Sequence, residues 1–232
     1  MLTLRPANER GHANHGWLDT YHTFSFNTYY DEKHMGFRAL RVINDDRVQA
    51  GRGFEWHSHR DMEIITYVLE GALQHKDSMG NGSIIRPGDV QFMSAGNGVM
   101  HSEFNPSEDE SVHLLQIWIH PTDRGGTPGY AQKAWSEEDK RNRLCLIVSP
   151  DGREESLTIK QDARVYATIL EKGADIYIPL AAERHAWLHL AKGSLQLGQV
   201  RLNAGDGVAI SSEDRIELTS LADSEFLLFD LA

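Results

Sequence analysis

Two short histidine-containing segments carry the residues best suited to chemistry. His57 and His59 form a His-x-His pair, and His101 and Glu103 form a His-x-Glu pair. Residues two apart on a β-strand project from the same face, so each pair can direct two side chains at one point. Three imidazoles and a carboxylate suit Fe, Mn, Ni, Co, Cu or Zn better than Ca or Mg. On neighbouring strands, the two pairs would form one transition-metal site.

Short β-strands with regular turn signals must position these pairs. Residues 37–119 contain about eight apolar or alternating segments, separated by turns rich in Asn, Asp, Gly and Pro. EIITYVLE (63–70) and VHLLQIWI (112–119) are the clearest strands, and DSMGNG (77–82) has the glycines of a hairpin turn. This pattern is typical of a β-sandwich or barrel.

The second half of the chain repeats features of the first. YVLEGALQ (67–74) aligns with HLAKGSLQ (189–196), which indicates a duplicated domain. A Pro-, Gly- and charge-rich linker with a short helix near its end is expected over residues 120–140. We therefore predict domains at 1–130 and 131–232. The second copy lacks both histidine pairs, so the metal site is expected in the first domain only.

Composition limits the possible partners and the compartment. The chain has 232 residues, of which 40% are hydrophobic and 25% are charged, and this composition predicts a soluble globular protein. Its net charge of −11 disfavours binding to nucleic acid. No apolar stretch is long enough to span a membrane. The one cysteine, Cys145, excludes an intrachain disulfide and is expected in the core. The cytoplasm is the expected location.

The spacing of these residues resembles the two cupin motifs. The first motif comprises Gly51, His57, His59, Glu63 and Gly71, and the second comprises Pro87-Gly88-Asp89 and His101. The segments RGHANHGWLDTYHTFSF, DMEIITYVLEG, HKDSMGN and MSAGNGVMHSE resemble bacterial pirin-like quercetinases of the pirin family. The resemblance is strong over the first 120 residues and looser beyond them. One departure is Ser58, where many relatives have proline between the two histidines.

The resemblance implies an all-β bicupin of two tandem jelly-roll barrels. It implies that His57, His59, His101 and Glu103 bind one divalent metal in the N-terminal barrel. Fe(II) is the usual metal, with Zn, Mn, Ni, Co or Cu as alternatives. Glu63 is expected to support the fold or the site without binding the metal.

The resemblance also implies a quercetin 2,3-dioxygenase activity, in which a flavonol or other small aromatic reacts with O2 and releases CO. We expect Glu103 to be the catalytic base, because it can accept the proton of a bound hydroxyl group. Six apolar side chains are candidate walls of an aromatic pocket, with core packing as the alternative for each of them. They are Phe24, Phe26, Phe54, Trp56, Phe92 and Met93.

A different class of function stays open at this point. A pirin-like metal centre can serve a non-catalytic redox or regulatory module that acts through protein partners. The acidic pair Asp45-Asp46 is predicted to lie in a solvated turn, and Glu108-Asp109-Glu110 in a solvated loop. Neither acidic run is expected to take part in a site.

Overall fold

The computed structural model describes all 232 residues, and almost all of its regular structure is β. Its single α-helix, α1 (Glu137–Lys140), has four residues, and no helix is long and apolar enough to cross a bilayer. The strands of the first half are β1 (Leu2–Arg5), β2 (Gly11–Asn14), β3 (Leu18–His22), β4 (Leu40–Val48), β5 (Gly53–His59), β6 (Glu63–Glu70), β7 (Leu73–Asp77), β8 (Gly82–Ile85), β9 (Asp89–Ser94), β10 (Val99–Phe104), β11 (Val112–Ile119) and β12 (Gly129–Ala134). Those of the second half are β13 (Cys145–Ser149), β14 (Leu157–Thr158), β15 (Ala163–Leu170), β16 (Asp175–Pro179), β17 (His185–Leu197), β18 (Val200–Asn203), β19 (Gly207–Ser211) and β20 (Arg215–Leu231).

The N-terminal barrel is built from two antiparallel sheets. A seven-stranded sheet has the order β12-β9-β6-β11-β4-β3-β2, and a four-stranded sheet has the order β5-β10-β7-β8. The eight strands β4 to β11 fall within the region where about eight were predicted, and the hairpin between β7 and β8 is also as predicted. The four-stranded sheet carries both histidine pairs.

The C-terminal barrel is one nine-stranded sheet that curls on the long strands β17 and β20. Gly71 and Gly193, which the internal repeat aligns, have φ angles of +76° and +84°. A Cβ at either glycine would lie within 3.0 Å of a backbone oxygen, so both bends require glycine. The predicted fold, two tandem cupin barrels in an all-β chain, is confirmed.

The largest hydrophobic core lies between the two barrels. Ile65, Tyr67, Leu115 and Ile117 of the seven-stranded sheet belong to it together with Phe229 of the C-terminal sheet. The alternate residues of β6 and β11 point into the N-terminal barrel. Both faces of these central strands are therefore buried, which explains why their sequences are apolar over almost their whole length.

Two strands lie close to or across the division between the domains. Strand β12 (Gly129–Ala134) pairs wholly with β9, so the predicted boundary at residue 130 falls inside a strand. Strand β1 pairs with β19 of the C-terminal barrel, with Leu2 opposite Ile210. A division after Ala134, with β1 assigned to the second barrel, follows the strand pairing better.

Three local predictions differ from the structure. Asp45 and Asp46 lie inside strand β4 and are buried, because both faces of this strand are covered. By contrast, the second acidic run, Glu108-Asp109-Glu110, is exposed, as predicted. The expected helix shrinks to α1, and residues 129–134 of the segment before it form strand β12. Cys145 is only half-buried.

A buried charged group links the barrels near α1. The Lys140 ammonium group, whose side chain is 4% exposed, donates to the Tyr67 hydroxyl at 3.0 Å and pairs with Glu225 at 3.3 Å. The Tyr67 hydroxyl also donates to Glu225. Lys140 therefore depends on Glu225 to balance its charge in a region with little water.

We expect Glu225→Gln to lower the free energy of unfolding by about 2 kcal/mol, because it leaves the buried ammonium group without a counter-charge. Chemical denaturation measures this change. Glu217→Gln, at an exposed position of the same strand, is the matched control and should change stability little. The double variant Lys140→Met/Glu225→Gln should recover most of the loss. Equal effects of the substitutions at 217 and 225 would contradict this account.

Candidate metal centre

The pairing of β5 with β10 brings the two histidine pairs together. His57 lies directly opposite His101, and His59 lies opposite Val99. The register shifts between His101 and Glu103, which is the mark of a β-bulge. The ligand atoms of the three histidines lie within 4.8 Å of one another. The His-x-His pair and His101 thus meet at one point.

The three imidazoles fit a divalent transition metal. Nδ1 of His57 lies 2.7 Å from the carbonyl oxygen of Glu55 and donates to it as N–H, which leaves Nε2 free as a ligand atom. Nε2 of His101 is buried and has no hydrogen-bond partner. Burial, together with the neighbouring imidazoles, lowers the pKa of His59 to about 4 and that of His101 to about 3. Both rings are therefore neutral at pH 7, as metal ligands must be.

Glu103 is 2% exposed and is held from the opposite sheet. Its Oε2 accepts a hydrogen bond of 2.9 Å from the side-chain amide of Gln116. Glu103 forms a second group of potential ligands with His101 and His75, again within 4.8 Å. The two groups share His101, so the carboxylate lies beside the three-histidine cluster. Both groups lie in the N-terminal barrel.

A row of polar side chains crosses the inner face of the seven-stranded sheet and supports Glu103. Its members are register partners on five neighbouring strands: His22, Asn44, Gln116, Thr66 and Gln91. Nδ1 of His22 contacts Asn44 at 2.8 Å, the Thr66 hydroxyl donates to Gln116 at 2.9 Å, and Gln91 donates to Thr66 at 3.2 Å. We call this set the polar row. It orients Gln116, and through Gln116 the carboxylate.

His75 and Asp77, which the sequence reasoning overlooked, support His101 from behind. The His75 ring lies between Oδ2 of Asp77, at 3.2 Å from Nε2, and Nδ1 of His101, at 3.4 Å from its own Nδ1. If Asp77 accepts the proton of His75 Nε2, then His75 Nδ1 can accept that of His101 Nδ1. This order leaves the lone pair of His101 on Nε2. The same two-residue spacing, on β7, is visible in the sequence.

A cavity of about 570 Å³ opens beside the cluster. Leu18, Phe26, Phe54 and Trp118 are its hydrophobic lining residues. Phe26 contacts Trp118 edge to face with ring centroids 5.2 Å apart, and Trp118 contacts His59 at 4.9 Å. Its other lining residues are mainly polar: His15, Thr20, His22, Asn27, Asn44, Asp46, His57, His59, Glu103 and Gln116. An aromatic pocket therefore adjoins the histidines.

Two of the six predicted wall residues, Phe26 and Phe54, line this cavity, and the other four do not. Phe24 packs on Trp187 between the barrels. Phe92 and Met93 are core residues on β9, and Trp56 is 51% exposed because it points away from the cavity side of β5. Trp118 was missed because an aromatic residue in an apolar strand gives no sign of which face it occupies.

Glu63 has structural partners and lies outside both groups of potential ligands. Its carboxylate accepts hydrogen bonds from the Ser94 hydroxyl at 2.6 Å and from the Lys160 backbone N–H at 3.1 Å. The second bond reaches into the C-terminal half. Glu63 therefore connects the two halves of the chain.

Asp45 and Asp46 are neighbours with opposite environments. Asp45 points toward the second barrel, where His113 at 2.7 Å and Arg10 at 3.2 Å hold its carboxylate. Asp46 points into the cavity, and its Oδ1 is buried without a hydrogen-bond partner. Burial raises the pKa of Asp46 to about 7; the nearby Thr20 hydroxyl acts against this shift, and the charges of Asp45 and Glu103 act in the same direction as burial.

We expect Asp77→Asn to weaken Ni(II) binding about tenfold or more, because the amide presents an N–H group to His75 and disturbs the order of protons behind His101. Titration calorimetry on metal-free protein measures the dissociation constant. Asp109→Asn, in the exposed loop, is the control and should bind Ni(II) as the unaltered protein does. An unchanged constant in a folded Asp77→Asn protein would remove this supporting role.

The raised pKa of Asp46 predicts a pH-dependent loss of stability. The folded state favours the protonated carboxyl, so this contribution is present below about pH 4 and is lost as pH rises through about 7. In metal-free Asp46→Asn the side chain cannot ionise. Its free energy of unfolding, relative to that of the unaltered protein, should therefore rise by about 2–4 kcal/mol as the pH goes from 4 to 8.5. Denaturation curves across this range test it, with Asp109→Asn as the control. Parallel profiles of unfolding free energy against pH for Asp46→Asn and the unaltered protein would contradict this prediction.

Comparison with known proteins agrees with this geometry. The Pirin family model matches residues 3–119, and a model described as the quercetinase C-terminal cupin domain matches residues 146–231. Quercetin 2,3-dioxygenase of Escherichia coli K12 is 51% identical over 231 residues, which cover 100% of this chain and 99% of that protein. A pirin-like protein of Caulobacter vibrioides is 41% identical over 233 residues, with 100% of both chains covered.

Solved structures agree as well. The bacterial pirin YhhW of E. coli in complex with nickel(II) superposes with a TM-score of 0.95 at 50% identity, covering 100% of this chain and 99% of that one. A second crystal structure of E. coli YhhW gives a TM-score of 0.96 at 50% identity, covering 100% of this chain and 98% of that one. From its sequence, its two barrels and the residues gathered in the first of them, the chain belongs to the pirin family.

Proposed function

We propose that this chain is a metal-dependent dioxygenase that opens the central ring of flavonols such as quercetin with O2 and releases CO. The observation that carries the proposal is the cluster of three imidazoles and a carboxylate beside an aromatic-walled cavity. The 51% identity to a quercetin 2,3-dioxygenase supports it over the whole chain. A single cysteine and the absence of an apolar spanning helix are compatible with activity in the cytoplasm.

We assign His57, His59, His101 and Glu103 as the residues that hold the metal. Their mix of imidazole and carboxylate accepts several divalent ions, and the relative that binds nickel(II) is consistent with this tolerance. We propose Fe(II) as the biological metal, with Zn, Mn, Ni, Co or Cu as alternatives. When bound, the metal would act as a Lewis acid toward the 3-hydroxyl and 4-carbonyl oxygens of a flavonol and provide redox capacity.

Glu103 has a second role in the proposal, as the base that accepts the proton of the flavonol 3-hydroxyl. Its carboxylate is buried and faces the cavity, so it can approach a bound hydroxyl group. The amide of Gln116 holds one oxygen and keeps the group in place. Removal of this proton makes the ring electron-rich and prepares it for reaction with O2.

The cavity suits a flat, polyhydroxylated aromatic molecule. Phe26 and Trp118 provide apolar surfaces, and the polar row and its neighbours provide hydrogen-bonding groups on one wall. A volume of about 570 Å³ falls within the range of pockets for small organic ligands. Loss of water around the hydroxyl group on binding strengthens its interaction with Glu103.

The activity is tested by following O2 uptake and CO release when quercetin is added to protein loaded with Fe(II). We expect one O2 consumed and one CO released for each quercetin. Glu103→Gln should lower turnover about a hundredfold or more, since the amide cannot accept the proton. Glu108→Gln, in the exposed loop, is the control and should leave turnover unchanged.

Metal analysis of the same samples separates the two roles of Glu103. A Glu103→Gln protein with full metal content and full turnover would remove both roles. Unaltered protein that binds Fe(II), Mn(II), Co(II) and Ni(II) yet neither consumes O2 nor releases CO would overturn the dioxygenase proposal. It would then favour a non-catalytic metal-binding module that acts through protein partners.

A further inference from the structure

Two polar side chains on the cavity wall have no hydrogen-bonding partner in the protein apart from each other. Thr20 on β3 and Asp46 on β4 are register partners, so their side chains lie side by side on the inner face of the sheet. The Thr20 hydroxyl and Oδ1 of Asp46 are both buried and make no hydrogen bond of standard geometry, although the hydroxyl lies close enough to Asp46 to favour its charged form. Thr20 is 3% exposed and Asp46 is 5% exposed, and both line the cavity.

The protein leaves this pair of polar groups incompletely satisfied. A buried polar group without a partner destabilises a fold by about 1–3 kcal/mol, and most proteins contain few of them. The neighbouring groups are satisfied: His22 and Asn44 bond to each other, and Asp45 is held by His113. Thr20 and Asp46 are therefore ready to bind a ligand group inside the cavity.

Thr20 and Asp46 lie away from the end of the cavity where Trp118 packs on His59. Trp118, which packs on His59, lies opposite Val42 on β4. Asp46 lies four residues further along β4, on the far side of the polar row, so about 13 Å of strand rise separates its backbone from that of Val42. Glu103 lies nearer to Asp46, since its charge helps to raise the pKa of that carboxyl. A flat molecule of two or three joined rings can extend over this distance.

We propose that Thr20 and Asp46 form a hydroxyl-recognition subsite for a phenolic hydroxyl group remote from the reacting oxygens of an aromatic substrate. This inference rests on the proposed function for the class of substrate. The phenolic O–H donates to a carboxylate oxygen of Asp46, and the Thr20 hydroxyl donates to the phenolic oxygen. The subsite determines which hydroxylated aromatics bind well, and the reaction itself takes place elsewhere in the cavity.

Quercetin and 3-hydroxyflavone are the probes that isolate this contact. Both have the 3-hydroxyl and 4-carbonyl oxygens, but 3-hydroxyflavone lacks every remote hydroxyl group. The unaltered protein should favour quercetin about tenfold or more in dissociation constant and in kcat/KM, because a site with buried polar groups discriminates against a ligand that leaves them unpaired.

The experiment compares the unaltered protein with Asp46→Ala, Asp46→Asn and Thr20→Val, each loaded with the same metal. Calorimetry gives the two dissociation constants, and O2 uptake gives kcat/KM. Asp46→Ala and Thr20→Val should bring the quercetin preference close to one, mainly by weakening quercetin binding. Asp46→Asn, which keeps a carbonyl acceptor, should retain part of the preference. Asp19→Asn is the control, because Asp19 contacts His12 on the outer face of β3.

The outcomes separate this inference from the proposed function. An unchanged preference in Thr20→Val and Asp46→Ala overturns the subsite and leaves the dioxygenase proposal intact. If the unaltered protein turns over neither compound but binds quercetin more tightly, and the variants abolish that difference, the subsite stands and the dioxygenase proposal fails. Failure to bind either compound overturns both. Thr20→Val preserves side-chain shape, so it tests the subsite even if Asp46→Ala does not fold.

Discussion

The two-residue period of side chains in the seven-stranded sheet is the constraint on which the rest of the structure depends. On β11, Leu115 and Ile117 face the second barrel, whereas Gln116 and Trp118 face the cavity. One sheet can therefore be the apolar wall of a large core and the polar wall of a site. A slip of one residue in any of these strands would exchange the two faces, so packing between the barrels also maintains the register of the site.

The site combines one sheet that carries the candidate ligands with another that orients them. His57, His59 and His101 come from the four-stranded sheet, and Gln116 reaches Glu103 from the opposite one. Because each sheet is held by its own ladder of hydrogen bonds, the carboxylate is positioned across the barrel without help from a flexible loop. The second barrel repeats the fold, but its interior is filled by apolar side chains, and it covers the outer face of the seven-stranded sheet.

Much of the site could be predicted from the sequence because its residues follow short-range rules. The spacing of His57 with His59 and of His101 with Glu103 sets their faces within a strand, and the resemblance to known motifs identified the strands as neighbours. The pocket was harder to predict, because Phe24 and Phe26 look alike in sequence and only the path of the N-terminal arm separates core from cavity. Asp46 was misplaced for a related reason: Asn-Asp-Asp is typical of turns, and burial between two barrels overrides that local preference.

Strand β1 has a consequence for how the molecule is made. It joins a segment near residue 3 to one near residue 209, which is a sequence separation of about 200 residues. During synthesis, the first barrel can form on the ribosome long before the edge that receives β1 has been translated. Until then, residues 2–5 extend from a nearly finished barrel with unpaired backbone groups. Until β19 has been made, the unpaired backbone N–H and C=O groups of this short strand can pair with strands of other nascent chains.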